Sequence, residues 1–356
     1  MKQDIRLYSP AQLADWFKQN GEPAFRAKQV QEWLWKKSAR NFAQMSNLGL
    51  PLREKLDQHF AINALTVQTE QRSADGTIKS SFRLHDGNLV EGVLIPALRT
   101  DDAERDAAPR MTACVSSQVG CSLTCKFCAT GYMDRKRNLD AAEIYDQVVE
   151  IDRQAQTHYN APLTNIVYMG MGEPLLNYKN VLASIDRITA PDGLGMSPKR
   201  ITISTAGIAK MIKQLGDDGV KTNLALSLHA ANDAKRNQIM PINESNSLVN
   251  LADALNYFYR KTGTRVTFEY IVFYHFNDGV QDAKELYEFT KKVPAKVNII
   301  EYNPIAEANF KNTDPQTLDK FAGYLEDRGV TVNIRRSRGK DIDAACGQLA
   351  GKEKAV

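Results

Sequence analysis

A chain of 356 residues with a formal net charge of +4 is long enough to bury a substantial core and, at ordinary domain sizes, to hold about two domains. Its composition, 43% hydrophobic and 25% charged, excludes a fibrous or low-complexity chain. The mild basicity permits an anionic partner such as RNA without requiring one. No stretch reaches the roughly 18 apolar residues of a membrane span, and MKQDIRLYSPAQL at the amino terminus lacks a signal-peptide core. A cytoplasmic protein without membrane contact is expected. In that compartment the five cysteines argue for metal-binding or catalytic thiols rather than a disulfide framework.

The first sixty residues read as a small helical unit. Ser9-Pro10 starts one helix, which Gly21 stops. Pro23 starts a second with Phe25, Val30, Trp33 and Leu34 at helical spacing, and a third runs from Pro51 to Phe60. Trp16, Trp33 and Trp35 are read as packing residues rather than base-stacking ones. Residues 65–96 change to short alternating strands with Asp75-Gly76 and Asp86-Gly87 as turns, a three-stranded meander. In its last strand Glu91 breaks an apolar row. It is either an edge-strand charge that deters aggregation or a carboxylate in an apolar setting, the way a general base acquires a raised pKa. Residues 97–110 are polar and charged, a flexible surface excursion at a domain boundary.

Beyond it, apolar strand-like runs alternate with amphipathic helices, the signature of a parallel sheet built from crossover units. Strands are expected at 111–115, 165–169, 201–204, 223–228, 266–272 and 297–302, a partial six-stranded α/β barrel, with a further strand at 330–334. Asp140 and Glu143 form a capping box ahead of Ile144, Val148 and Ile151. The boundaries are therefore 1–62 for the helical domain, 63–106 for the meander and linker, and 107–349 for the barrel and its C-terminal extension. Active sites of parallel α/β folds gather at the carboxyl ends of the strands. There stand Gly170, Gly172 and Glu173, then Ser204 and Thr205, Ser227 and His229, and Asn303. Basic clusters at 135–137, at Lys199-Arg200 and at 335–340 flank strand ends and suit a phosphate-binding rim, although each alone fits a solvated face.

The segment CVSSQVGCSLTCKFC, residues 114–128, holds four of the five cysteines. Cys121, Cys125 and Cys128 form a CxxxCxxC run on one short loop. A cubane iron-sulfur cluster takes one thiolate per iron, so three cysteines leave one iron open to another ligand. A structural zinc site is the bland alternative, but zinc loops come as two separated pairs, and no second pair exists here.

CxxxCxxC with the aromatic Phe127 before its last cysteine resembles the radical S-adenosylmethionine (SAM) superfamily. Together with CVSSQVGC, CKFCATG, MGMGEPLLN, ISTAGI, LSLHA, MPIN, EYNP and IDAACGQL, it resembles the family of dual-specificity adenine-C2 methyltransferases of 23S ribosomal RNA and transfer RNA. The resemblance runs from the helical amino terminus to about Leu349. It implies a radical SAM barrel with a helical RNA-contacting domain, a [4Fe-4S] cluster on Cys121, Cys125 and Cys128, and two SAM molecules per turnover. Gly172 and Glu173 would hold the amino end of SAM, and Ser204, Ser227, Leu228, His229 and Asn303 would line the rest. Cys346 would carry the methyl group, Cys114 would be the second catalytic thiol, and Glu91 the proton acceptor.

In the scheme so implied, the Cys346 thiolate takes a methyl group from one SAM. A second SAM yields a 5′-deoxyadenosyl radical that abstracts hydrogen from the S-methyl group, and the resulting carbon radical adds to C2 of adenine. Glu91 assists proton removal, and Cys114 attacks the Cys346 sulfur to release methylated RNA. This leaves a catalytic Cys114–Cys346 disulfide for an external electron donor to reduce. A target base in an RNA loop suits this chemistry, because the base must leave its stack. A monomer suffices. Two alternatives remain: the related adenine-C8 methyltransferase of antibiotic resistance, which carries Ala where this chain has Pro174, and a zinc-stabilised RNA-binding protein without activity.

Overall fold

The computed structural model describes residues 2–97 and 109–351. At the amino end, the Ser9 hydroxyl accepts from the Gln12 amide while the Gln12 side chain accepts from the Ser9 amide, capping α1 (Pro10–Gln19). With α2 (Arg26–Gln31) and α3 (Leu50–His59) it forms the expected helical unit. The unit is closed by a parallel pairing of β1 (Gln3–Asp4) with β2 (Phe60–Ala61). Its tryptophans pack: Trp16 meets Phe60 at 4.9 Å, and buried Trp35 lies edge-on to Tyr145 and accepts that residue's hydroxyl at its carbonyl.

β3 (Thr66–Arg72), β4 (Ile78–Arg83) and β5 (Leu89–Ala97) form the antiparallel meander, and β6 (Arg110–Cys114) adds to β5. β5 therefore lies between β4 and β6, and the edge is β3. The edge-strand account of Glu91 is excluded. Most of the segment 97–110, read above as a surface excursion, lies outside the described residues. After β6 the chain forms β7 (Gln118–Val119) and β8 (Arg137–Asn138), an antiparallel pair at the base of the cysteine loop.

From β6 the sheet continues in chain order through β9 (Asn165–Tyr168), β10 (Ile201–Thr205), β11 (Asn223–Ser227), β12 (Val266–Ile271), β13 (Ala295–Ile300) and β14 (Val332–Arg335), all parallel. These are the six expected barrel strands and the seventh. Their crossovers are α4 (Ala141–Tyr159), α5 (Tyr178–Thr189), α6 (Ala209–Asp217), α7 (Asp233–Ile239), α8 (Leu248–Thr262), α9 (Val280–Thr290) and α10 (Pro315–Glu326). Alternate strand residues such as Ile203, Leu226, Phe268 and Ile299 are buried in the main core. The opposite face carries a polar row set by register, Ser227 beside Glu269, then Asn298, then Asn333.

Buried charge docks the helical unit onto the barrel. Arg6 pairs with Asp4 at 2.9 Å and, far along the chain, with Asp146 of α4 at 2.8 Å. Asp146 also accepts the Leu65 amide, and Arg40 pairs with buried Glu150 of the same helix. Removing one partner of a buried pair leaves the other charge stranded. Arg6→Met is therefore expected to cost on the order of 3–5 kcal/mol of unfolding free energy, read as a lower urea midpoint. A loss under about 1 kcal/mol, as for an exposed pair, would show that the network does not hold the two units together.

Candidate active site

The cysteine loop is fixed at both ends. The Lys126 amide donates to the Ile239 carbonyl at 3.0 Å, fastening the loop to the end of α7, and the Ala129 amide donates to Gly347 at 2.7 Å. Leu123, Phe127, Ile239, Met240, Ile271 and Phe273 form a separate apolar cluster against which the three cysteines pack. Burial raises the Cys121 thiol to about 12 and also pushes Cys125 and Cys128 up. Cys125 additionally feels Cys128 and Cys121. Such thiols ionise only against a bound positive centre. The loop offers three thiols in one apolar cradle, a donor set that fits an iron-sulfur centre.

The strand-end residues converge beside this loop. Gly172 has φ +92° and lies so close to Gln118 that an added Cβ would stand 2.5 Å from the Gln118 Cβ, so only glycine fits there. Buried Glu173 accepts from the Leu175 amide at 3.0 Å and the Ala206 amide at 2.7 Å, and burial raises its pKa. With the Thr205 hydroxyl as a third donor, the carboxylate keeps one lone pair for an ammonium group. Ser204 and Ser227, both half-buried, end β10 and β11. Leu228 is buried, and His229 follows in the left-handed region at φ +54°. Its Nδ1 accepts the Ile271 amide at 3.1 Å, which places the proton on Nε2. Burial, then Arg236, pushes its pKa down to about 3. Asn303 donates to the Cys346 carbonyl at 3.1 Å, while its buried Oδ1 has no protein partner. These groups fit the polar parts of SAM.

The tail bearing Cys346 is strapped across the same mouth. Thr130 donates to the Leu349 carbonyl at 2.5 Å, and Lys79 donates to the Asp343 carbonyl at 3.2 Å. Glu91 accepts from the Ala350 amide at 2.8 Å and the Gly351 amide at 3.2 Å, and its other oxygen lies 3.2 Å from Lys79 Nζ. Cys114 and Cys346 are free thiols. Solvent reaches Cys346, yet protein surrounds it, and desolvation raises both thiols to about 12. Cys346 further raises Cys114, Cys128 and Glu269 further raise Cys346, and Arg335 lowers both.

Comparison with known proteins gives this site a family. Residues 4–62 match the model of the ribosomal RNA large subunit methyltransferase N-terminal domain, and residues 115–290 match the radical SAM superfamily. A Cytophaga hutchinsonii protein described as "Probable dual-specificity RNA methyltransferase RlmN" is 64% identical over 352 residues, 99% of this chain and 94% of that one. The chain belongs to the RlmN family. A Flavobacterium psychrophilum protein of the same description is 52% identical, with 99% of each chain covered. The crystal structure of a radical SAM methyltransferase from Sphaerobacter thermophilus superposes with a TM-score of 0.90 at 36% identity, covering 98% of this chain and 100% of that one. RlmN membership bears out the resemblance read from the motifs and the radical SAM fold, and the chain is a SAM-dependent RNA methyltransferase by family.

The basic rim is less uniform than its sequence suggests. Arg137 is held by Glu143 and Asp86, and Arg336 and Lys340 by Glu301. Lys199 and Arg200 precede β10 and so lie at the end of the sheet opposite Thr205. Sequence reasoning also missed three buried residues. Asn277 donates to the His229 and Ile271 carbonyls and cross-links two strand ends. Glu269 accepts from Asn298 at 2.8 Å and acts on Cys346; a carboxylate inside VTFEYI was a visible signal of the kind that singled out Glu91. Arg236 gave no signal, because RNQIMPIN reads as a solvated helix end.

His229 gives a pH test. Between about 3 and its unfolded value near 6.5 the unfolded chain binds a proton that the folded site excludes, so its contribution is full above 6.5 and falls as pH drops toward 3. The slope approaches about 1.4 kcal/mol per pH unit. Asn tolerates positive φ and can accept the Ile271 amide, so His229→Asn is expected to lose less stability than wild type between pH 6.5 and 4.5. Parallel urea midpoints for the two proteins would refute a neutral buried imidazole.

Proposed function

We propose that the protein methylates C2 of an adenosine in 23S rRNA and in tRNA, using a methyl group carried on Cys346. The observation that carries this reading is the tail strap, which fastens the Cys346 segment to the cysteine loop through Ala129 and Thr130 and to the end of β13 through Asn303. Cys121, Cys125 and Cys128 would hold a [4Fe-4S] cluster, and Gly172, Glu173, Ser204, Ser227, Leu228, His229 and Asn303 would hold SAM. When bound and reduced, the cluster supplies the electron that cleaves SAM to a 5′-deoxyadenosyl radical.

The chain's own residues account for the remaining needs. Cys346 must lose its proton before it can displace the methyl group of a first SAM, and Arg335 favours the thiolate. A second SAM serves the radical step, making two per turnover. Glu91, paired with Lys79 and reached from a cleft of about 280 Å³ lined by Ala129, Ile305 and Gln348, is the proton acceptor for C2. To act it must release the Ala350 and Gly351 amides. Once the adduct has lost the C2 proton and returned one electron to the oxidised centre, the Cys114 thiolate attacks the Cys346 sulfur; the electron pair of the broken S–C bond goes to the product carbon, which takes up a proton to become the methyl group. The resulting transient disulfide takes two electrons from an external donor. Residues 1–62 form the RNA-contacting domain, 63–106 the meander and linker, and 107–349 the catalytic barrel. We read the protein as a cytoplasmic monomer.

C2 is favoured over C8 by Pro174 after Glu173 and by the relatives above. Anaerobic reconstitution with iron and sulfide, then SAM, reductant and RNA, is expected to yield 5′-deoxyadenosine and 2-methyladenosine by mass spectrometry of digested RNA. 8-Methyladenosine as sole product would overturn the position, and absence of both compounds would overturn the activity. Cys114→Ala is expected to retain iron and SAM cleavage but to accumulate RNA bound to Cys346. Loss of iron in that variant would show that Cys114 belongs to the cluster.

A further inference from the structure

Arg236, on α7, is fully buried. Its guanidinium donates from Nε to the Leu228 carbonyl at 3.0 Å and from Nη1 to Asn243 Oδ1 at 2.6 Å. Nη2 donates to the carbonyls of Ala206 at 2.6 Å and Ser227 at 3.1 Å. All four acceptors are neutral, and among the described residues no carboxylate stands within ion-pair distance of it. Asp233, the one carboxylate it feels, is one residue removed, bonded to Asn243 Nδ2. Burying a cation without an anion is costly, so an anion belongs nearby.

The geometry shows where. The end of α7 is the point at which Lys126, the residue after Cys125, is hydrogen-bonded to the helix. Ile239 and Met240, which follow Arg236 on the same segment, pack in the cluster that receives Cys121, Cys125 and Cys128. His229, the other titratable group against Arg236, is held neutral by the Ile271 amide. The anion that suits this cation is the thiolate set together with whatever it holds. A cubane on three thiolates carries a net negative charge that grows by one on reduction.

We propose that Arg236 is the counter-charge of the iron-sulfur centre, a positioning residue that touches neither cluster nor substrate and makes the reduced state easier to reach. The proposal rests on the cluster assignment above. One electron from the external donor enters the centre. A nearby fixed cation stabilises the added charge, more so in an apolar shell than in water. The competing role is mechanical: three hydrogen bonds join the ends of β10 and β11 to α7 and a fourth reaches Asn243, and a brace could do that without affecting the centre's potential.

Charge and bracing separate in three variants of the reconstituted full-length protein. Arg236→Lys keeps the charge and loses most of the fork, Arg236→Gln keeps some hydrogen bonding and loses the charge, and Arg236→Met loses both. Iron content and anaerobic spectroscopic titration of the midpoint potential are read without RNA. Arg236→Gln is expected to show a reduced-to-oxidised ratio about tenfold lower than wild type at a given potential, a midpoint about 59 mV more negative for a one-electron couple. Arg236→Lys should stay within about threefold of wild type. If Gln and Met cannot hold iron but Lys can, the charge requirement is equally established. A Gln midpoint matching wild type, or failure of Lys together with the other two, overturns the proposal. Absence of any cluster in wild type would instead overturn the assignment on which it rests.

Discussion

The fixed position of the tail across the barrel mouth is the constraint on which the site depends. Cys346 lies in a segment with no helix or strand of its own beyond a single short turn, so nothing in local backbone geometry places its sulfur. Placement comes from bonds to three separate parts of the fold: the cysteine loop through Thr130 and Ala129, the end of β13 through Asn303, and the meander through Glu91 and Lys79. Each bond is worth only about 1 kcal/mol net, and their sum holds the segment as a unit that can also loosen. A thiol with the proposed task of meeting SAM, then RNA, then Cys114 would need such an arrangement more than a rigid strand.

Glu91 sits at the junction of these demands. On a central strand, with Met171 packed at its amide and Ser116 on its carbonyl, its backbone is immobile. Its carboxylate meanwhile spends two hydrogen bonds on the tail. The group proposed to take a proton from the base is therefore also a clasp for the segment bearing the methyl carrier. An adenine entering beside Glu91, as proposed, would compete with the Ala350 and Gly351 amides for one oxygen, so substrate binding and tail movement would be linked by a shared acceptor. Lys79 keeps the second oxygen oriented throughout, since it is itself tied to Asp343 on the tail.

What could be read in advance was local. Ser9 with Gln12 and Asp140 with Glu143 sit three residues apart, and a capping box needs nothing further away. The strands announced themselves because a parallel sheet covered by helices needs continuous apolar runs, and the CxxxCxxC loop because its ligands are adjacent. Arg6 and Arg236 were illegible, being ordinary surface residues by type until partners elsewhere in the fold bury them. Asp146 is 140 positions from Arg6. The basic rim shows the same limit in reverse: charge along a chain is visible, but whether a folded neighbour neutralises it is not.

Glu173 and Arg236 show how closely the two cofactor sites are joined. The Ala206 amide donates to Glu173 while its carbonyl accepts from Arg236, so the two peptide units that meet at the Ala206 Cα, just past the end of β10, hold an anion on one and a cation on the other. The Glu173 carboxylate faces the place proposed for the ammonium group of SAM, and α7, which carries the guanidinium, is fastened at its end to the cysteine loop. Peptide dipoles between opposite charges align with both and cost no reorganisation when charge changes nearby. An electron added to the proposed centre and a cation bound at Glu173 would therefore be felt on the two sides of one residue, Ala206, which couples the two buried charges without pairing and neutralising them.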